Sequence, residues 1–279
     1  MQKKIFIILF ISSQAFGLVT VGRNTAFEKQ TNTYVAPIKS KTDQELCNVH
    51  MSHMVTPPDR YQMTQDFAHK NMTDVFAEIY HTNYWLGDKS RSGQGSSLSS
   101  TEIVRNELAT LCDTLKIDTI LDIGCGDYYW MQTVDLKKCH YLGVDIVPEM
   151  IAKNREHFTD ENHHFLCLDS TKDPLPQADM IICRDVLAHL NYADACNLLR
   201  NMKASGSQFL LMSTHLDTEL NQEKHTGHHM PYDLTKSPFN LSHPVVLIEE
   251  KTAEKETRVQ RKAMGLWLLQ DLDLDCLEH

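Results

Sequence analysis

The sequence predicts an α/β fold, a doubly wound seven-stranded sheet that is mostly parallel with an antiparallel C-terminal strand pair. Three observations carry this prediction. From residue 119 onward, short apolar runs recur without the alternation of a half-buried strand, which suits strands covered on both faces. Helical patterns separate them, and strands alternating with helices argue a parallel sheet. The last two runs, 245–250 and 264–269, leave no room for a long helix between them and read as an antiparallel pair closing the sheet.

In chain order, a first helix is expected over 65–80, where Phe67, Val75, Phe76 and Ile79 supply an apolar face. A Gly- and Ser-rich loop follows from Trp85 to Ser97; its backbone can approach a ligand closely, though on its own it also suits a surface turn. Ser99 and Glu102 have capping-box spacing and are expected to open the next helix, in which Ile103, Val104, Leu108, Leu111 and Leu115 repeat at helical period. Strands are then expected at 119–123, 141–146, 165–168, 180–183 and 209–212, with helices at 148–157 and 192–203.

Composition narrows the function classes. The 279 residues carry a net charge of −10, are 42% hydrophobic and 23% charged, and suffice to bury a core without disulfide staples. An acid excess argues against a nucleic-acid partner, whose phosphates want a basic face. The cysteines have no CxxC spacing, and Cys125, Cys167 and Cys183 sit in or beside apolar runs, so reduced structural thiols are expected. Residues 1–17 have a basic start, the apolar run 5–11 and a small-residue exit, the layout of a secretory signal peptide and too short a run to span a bilayer comfortably. Residues 18–65 read as a polar extension, 66–276 as the folded domain, and 277–279 as a vector remnant. Secretion is therefore the expected localisation, with an uncleaved, membrane-associated leader on a cytoplasmic protein as the alternative.

The first predicted strand ends Leu121-Asp122-Ile123-Gly124-Cys125-Gly126-Asp127. Glycines at a strand end let the backbone fold tightly under a ligand, and the carboxylates sit where a cationic or hydroxylated group can be held. The dinucleotide fingerprint wants a third glycine at position 129, which is Tyr129, and Asp127 would repel a pyrophosphate there; both disfavour an NAD-dependent oxidoreductase. Asp145 ends the second strand, 23 residues after Asp122, where an acid can take both ribose hydroxyls of an adenosine. Asp169 follows the third strand and can accept a bond from an adenine amino group. Three carboxylates at one sheet edge repel one another unless the ligand carries positive charge and several donors.

This layout resembles the Rossmann-like class I S-adenosylmethionine-dependent methyltransferases. A subgroup of that superfamily looks like this chain from about Phe67 to Leu269, through Ser92-Gly93-Gln94-Gly95-Ser96, Cys125-Gly126-Asp127-Tyr128-Tyr129-Trp130-Met131, Cys183-Arg184-Asp185-Val186-Leu187-Ala188-His189-Leu190 and Gly265-Leu266-Trp267. The resemblance implies S-adenosylmethionine as cofactor, with Gly124 and Gly126 at its amino-acid part and Asp122 nearby. It implies Asp145 at the ribose, Asp169 with Ser170 beside the adenine, and Trp85, Asp127, Ile146 and Arg184 among the residues that hold the cofactor. The 92–97 loop would then be a lid on which Trp85 packs. Where relatives often carry Gly-Trp-Arg after a Thr-Gly, this chain has His228-His229-Met230, which points to a different acceptor.

Methyl transfer is an in-line displacement that gains much from alignment, and it needs a base only when the acceptor must lose a proton. Asp185 and His189, four apart after the fourth strand, would share one face of a helical turn, Asp185 orienting His189 or acting as base itself. The alternative is that Asp185 caps the next helix and His189 packs within it. His215, His225, His228, His229 and His243 form a second group, but no Cys or carboxylate at standard spacing completes a zinc set, and no metal is expected. The expected function is methyl transfer to an O or N acceptor, small molecule, glycan or protein; the alternative of another class is a non-catalytic cofactor-binding protein on the same fold.

Overall fold

The computed structural model describes residues 67–250 and 261–274; the leader, the polar extension, Cys47 and Cys276 lie outside them. The described residues form seven strands, β1 (Thr119–Ile123), β2 (His140–Asp145), β3 (His163–Cys167), β4 (Met180–Cys183), β5 (Phe209–His215), β6 (Val246–Glu249) and β7 (Lys262–Leu268), in the sheet order β3-β2-β1-β4-β5-β7-β6. Pairings from β3 through β5 are parallel, while β7 runs antiparallel to both β5 and β6. The helices are α1 (Met72–Thr82), α2 (Glu102–Leu115), α3 (Pro148–Phe158) and α4 (Tyr192–Ala204).

Strand side chains alternate between two packed layers, which is what period-two geometry requires of a doubly covered strand. In β4, Ile181 and Cys183 join one layer with Leu198, Leu199 and Met202 of α4; Met180 and Ile182 join the other with Val104, Leu108 and Leu111 of α2 and Ile151 of α3. Helix ends follow their local chemistry. Asn71 accepts the Asp74 amide at the start of α1 and Asn191 accepts the Asp194 amide at the start of α4, while Pro148 stands in the first turn of α3. Among the described residues, no helix is long and apolar enough to cross a membrane.

Three expectations are corrected. The Ser99–Glu102 capping box does not form: Thr101 precedes α2 with no side-chain cap, and its hydroxyl donates to the Ser97 carbonyl. β3 is an edge strand rather than one covered on both faces; Phe165 is buried while His164 and Leu166 are exposed, and pairing begins at His163. β5 continues past Met212 through Ser213, Thr214 and His215, all buried, because each pairs with β7 and Ser213 and Thr214 also bond by their hydroxyls. Among the described cysteines, Cys112, Cys125, Cys139, Cys167 and Cys183 are free thiols.

Candidate functional site

The parallel strands end at a common edge where the order reverses on either side of β1, the place an open α/β sheet leaves a crevice. A cleft of about 1090 Å³, its open mouth included, occupies that edge. Trp85, Asp122, Gly124, Gly126, Asp127, Asp145, Ile146, Asp169, Ser170, Arg184, Asp185 and His189 all line it. The sequence reading thus assembles around one cavity, but the roles of these side chains divide.

On the β1–β3 side the carboxylates are short of cations. Asp122, 3% exposed, accepts the Tyr141 hydroxyl at 2.6 Å. Asp145 accepts the backbone amides of Gly126 and Val147, both at 3.1 Å. Burial pushes the Asp122 carboxyl up to about 7 and the Asp145 carboxyl up to about 6; a neighbouring carboxylate raises each further. Asp169 differs. Burial opposes its ionisation, yet Lys172 at 2.8 Å and the Thr171 hydroxyl at 2.6 Å bring the net shift below the usual range.

Asp127 and Arg184 line the cleft, and both bond the Gly-Ser loop. The Asp127 carboxylate accepts the Ser90 hydroxyl at 2.9 Å and the Arg91 amide at 2.7 Å, and Arg184 donates to the Gly95 carbonyl at 2.9 Å. Gly126, at φ +60°, is required by that loop: a Cβ there would stand 2.1 Å from the Ser92 hydroxyl oxygen. Trp85 packs on the loop at Gly93, where a Cβ would meet the Trp85 Cβ at 2.9 Å.

On the β4–β7 side charges are cross-paired. Arg184 meets Glu250 at 2.5 Å and Asp185 at 3.2 Å; Lys262 meets Asp185 at 2.7 Å and Glu250 at 3.2 Å. Burial would raise the Asp185 carboxyl, but Lys262 and Arg184 hold it well below the usual carboxylate range. The expected geometry of Asp185 and His189 is therefore corrected. Asp185 sits in a left-handed conformation (φ 59°) ahead of a short 3₁₀ turn, Leu187–His189, and its carboxylate serves Lys262 and Ser213 rather than His189. It caps no helix either, since α4 starts at Asn191.

His189 instead stands between aromatic neighbours, its ring 4.5 Å from Trp85 and 5.3 Å from His229 between centroids. Burial first, then His229 and Lys224, push its imidazole down to about 3, against Asp185 and a backbone hydrogen bond with His228. The His189 Nδ1 is buried and has no hydrogen-bond partner. His215, on β5, is likewise pushed down to about 4 by burial. Among the described residues, no group of three His, Cys, Asp or Glu is placed to hold a metal.

Lys262, Glu250 and Lys224 escaped the sequence reading. The one signal available was Lys262 itself, a charged residue opening an apolar strand; Asp185 and Lys262 are 77 residues apart and only the sheet register brings them together.

Residues 121–205 match the family model described as "Methyltransferase domain". The match runs from β1 to the end of α4, covers Asp122, Asp145, Asp169, Asp185 and His189, and bears out the superfamily to which the motifs pointed, as does the mostly parallel sheet with its antiparallel end. No curated protein sequence matches the chain. Among solved structures, it is similar to magnesium protoporphyrin IX methyltransferase from Synechocystis PCC 6803 with bound S-adenosylhomocysteine, at 14% identity over 75% of this chain and 99% of that one, TM-score 0.49. It is similar to human N-acetylserotonin methyltransferase in complex with S-adenosylmethionine, at 16% identity over 70% of this chain and 64% of that one, TM-score 0.41. A third, PKMT2 from Rickettsia typhi, is 20% identical over 36% of this chain and 22% of that one, TM-score 0.32. The chain spans less than two thirds of the last two. Likeness this distant carries no argument about what this chain binds.

Proposed function

We propose that this chain, whose residues 121–205 are a methyltransferase domain of the class I superfamily, moves the methyl group of S-adenosylmethionine to an O or N acceptor. The observation that carries the proposal is the charge deficit of the cleft. Asp122 and Asp145 are buried acids with backbone and phenol donors and no ion pair among the described residues, Arg184 being the least of the influences on Asp122, and they favour a ligand bringing positive charge and hydroxyl donors. A cofactor with an ammonium, a sulfonium and a ribose diol meets both needs. When bound, that cofactor supplies an electrophilic methyl group.

The chain's own residues supply the rest. Asp145 binds and orients the ribose, Ile146 and Ser170 flank the adenosine end, and Asp122 faces the amino-acid end. Arg184 and Asp127 seat the 87–97 loop over the cleft, where it excludes water. Asp185, held ionised by Lys262, is a poor proton acceptor. His189 lines the cleft and is neutral at pH 7, and it takes the acceptor's proton as the new bond forms.

The test is transfer of a tritiated methyl group from S-adenosylmethionine into fractionated lysate, resolving protein, lipid, glycan and small-molecule products, alongside calorimetry with S-adenosylhomocysteine. Label in one fraction, lost in Asp145→Ala, is expected; His189→Ala should lower turnover by roughly 10²–10⁴-fold with the calorimetric affinity kept. No binding and no label would refute the proposal.

A further inference from the structure

The loop 221–232, where this chain departs from its relatives, is bonded along the whole backbone of the His189 turn. The Leu187 carbonyl accepts the Lys224 ammonium at 3.4 Å, the Ala188 carbonyl accepts the Met230 amide at 2.9 Å and the His189 carbonyl accepts the Gly227 amide at 2.8 Å. The Leu190 carbonyl accepts the Tyr232 hydroxyl at 3.0 Å, and the Asn191 amide donates to the Thr226 hydroxyl at 3.1 Å. Five consecutive residues are thus held by one loop, in addition to the turn's own two bonds, His189 amide to Val186 and Leu190 amide to Leu187. Backbone groups this close to a cavity are more often left to water, and the dense bonding fixes a turn that is too short to hold itself.

We propose that this loop sets the position of His189 and that Lys224 is its principal positioning residue. Lys224 is 8% exposed, and its ammonium lies 3.6 Å from the centroid of the Tyr232 ring, whose hydroxyl holds the opposite end of the same turn. Lysine is among the residues least often buried, and burial pushes the Lys224 amine down to about 7, with Glu223 opposing. Its carbonyl and ring contacts both belong to the His189 support: Leu187 begins the turn and Tyr232 ends the clamp. The loop also supplies the His228 backbone hydrogen bond to the ring. The charged and titratable groups acting on the ring are Lys224 and His229 from this loop and Asp185 from the end of β4. Two of them disfavour a second positive charge there. The loop therefore fixes the place of the His189 ring.

The inference rests on His189 as the proton acceptor, but its test does not use turnover. In protein labelled with ¹⁵N-histidine, the ring nitrogens of His189, assigned by their loss in His189→Gln, should report one protonated and one bare nitrogen at neutral pH. Lys224→Met should collapse that pattern toward an averaged pair of shifts, with affinity for S-adenosylhomocysteine within about twofold of wild type, and Lys224→Arg should restore it in part. An unchanged His189 pattern in Lys224→Met would overturn the inference whether or not the protein methylates anything. If Lys224→Met does not fold, Thr226→Val removes another bond of the clamp, to Asn191, and the same spectrum decides.

Discussion

The two ends of the cleft treat buried charge in opposite ways. At β4–β7, Arg184, Asp185, Glu250 and Lys262 balance one another, two cations against two anions, all within 3.2 Å of a partner. At β1–β2, Asp122 and Asp145 share no close cation and are held by a phenol and backbone amides. Balanced charge fixes the loops that frame the cleft. Unbalanced charge leaves an electrostatic demand for a ligand to meet. The two clusters are comparably acidic by sequence, so the difference lies in partners and not in residue type.

Removing a member from the balanced cluster should therefore cost the fold most. Arg184→Ala leaves Glu250 buried without its guanidinium partner, its side chain 2% exposed, and frees the Gly95 carbonyl. Lys262 is then left alone to balance Asp185 and Glu250, and a loss of about 3–5 kcal/mol is expected in urea denaturation, because an uncompensated buried charge costs more than the intact cluster contributes. A small loss would mean that this end is as tolerant of imbalance as the other.

The unbalanced cluster should show the reverse. Asp145→Asn keeps an acceptor for only one of the Gly126 and Val147 amides and removes the charge; losing one amide bond offsets relief of the buried charge, so stability should change little while affinity for S-adenosylhomocysteine falls. A charged hydrogen bond is worth about 1.5–3 kcal/mol, so calorimetry should read a loss of roughly 10–100-fold. Equal losses of stability and affinity would erase the contrast between the ends.

The sequence made one end far more legible than the other. Runs such as Ile120-Leu121 and Ile181-Ile182 are buried on both sides and could be little but central strands, and Asp122, Asp145 and Asp169 are tied to strand ends by local spacing alone. β3 was misjudged because an edge strand needs only backbone pairing, so His163 and His164 join it without an apolar signature. The polar end of β5 was missed for the converse reason: Ser213 and Thr214 are buried with their hydroxyls bonded, to Asp185 and to the Leu234 amide. Asp185 and His189 were placed on one helical face because i, i+4 spacing suggests it. A left-handed Asp185 and a 3₁₀ turn send the two side chains to different partners, Lys262 and Trp85, which tertiary register supplies and local spacing does not. Lys224 gave no signal at all, since nothing near it in sequence announces a buried ammonium.

The smallest expected effect separates the ends by the sign of a pH slope. Asp122 and Asp145 have carboxyls raised by burial to about 7 and about 6, above the range of an unfolded chain. Their protonated forms favour the fold, so ligand-free stability drains away as pH rises from about 4 to about 7. His189 and His215 are lowered to about 3 and about 4, so their neutral forms favour the fold, and stability is lost as pH falls from about 6.5 toward 4. The two slopes oppose each other over one window and nearly cancel in the whole protein, so a flat pH profile there would conceal both. Single substitutions uncover them. Thermal unfolding of Asp145→Asn across pH 4–7 should gain a steeper loss on the acid side than wild type, and His189→Gln should gain a steeper loss on the neutral side. Saturating S-adenosylhomocysteine should tilt wild type the same way as Asp145→Asn, because a ligand that compensates the carboxylates removes the penalty for ionising them. A ligand that left the slope unchanged would be binding away from these acids, and the charge deficit at β1–β2 would then belong to the fold alone.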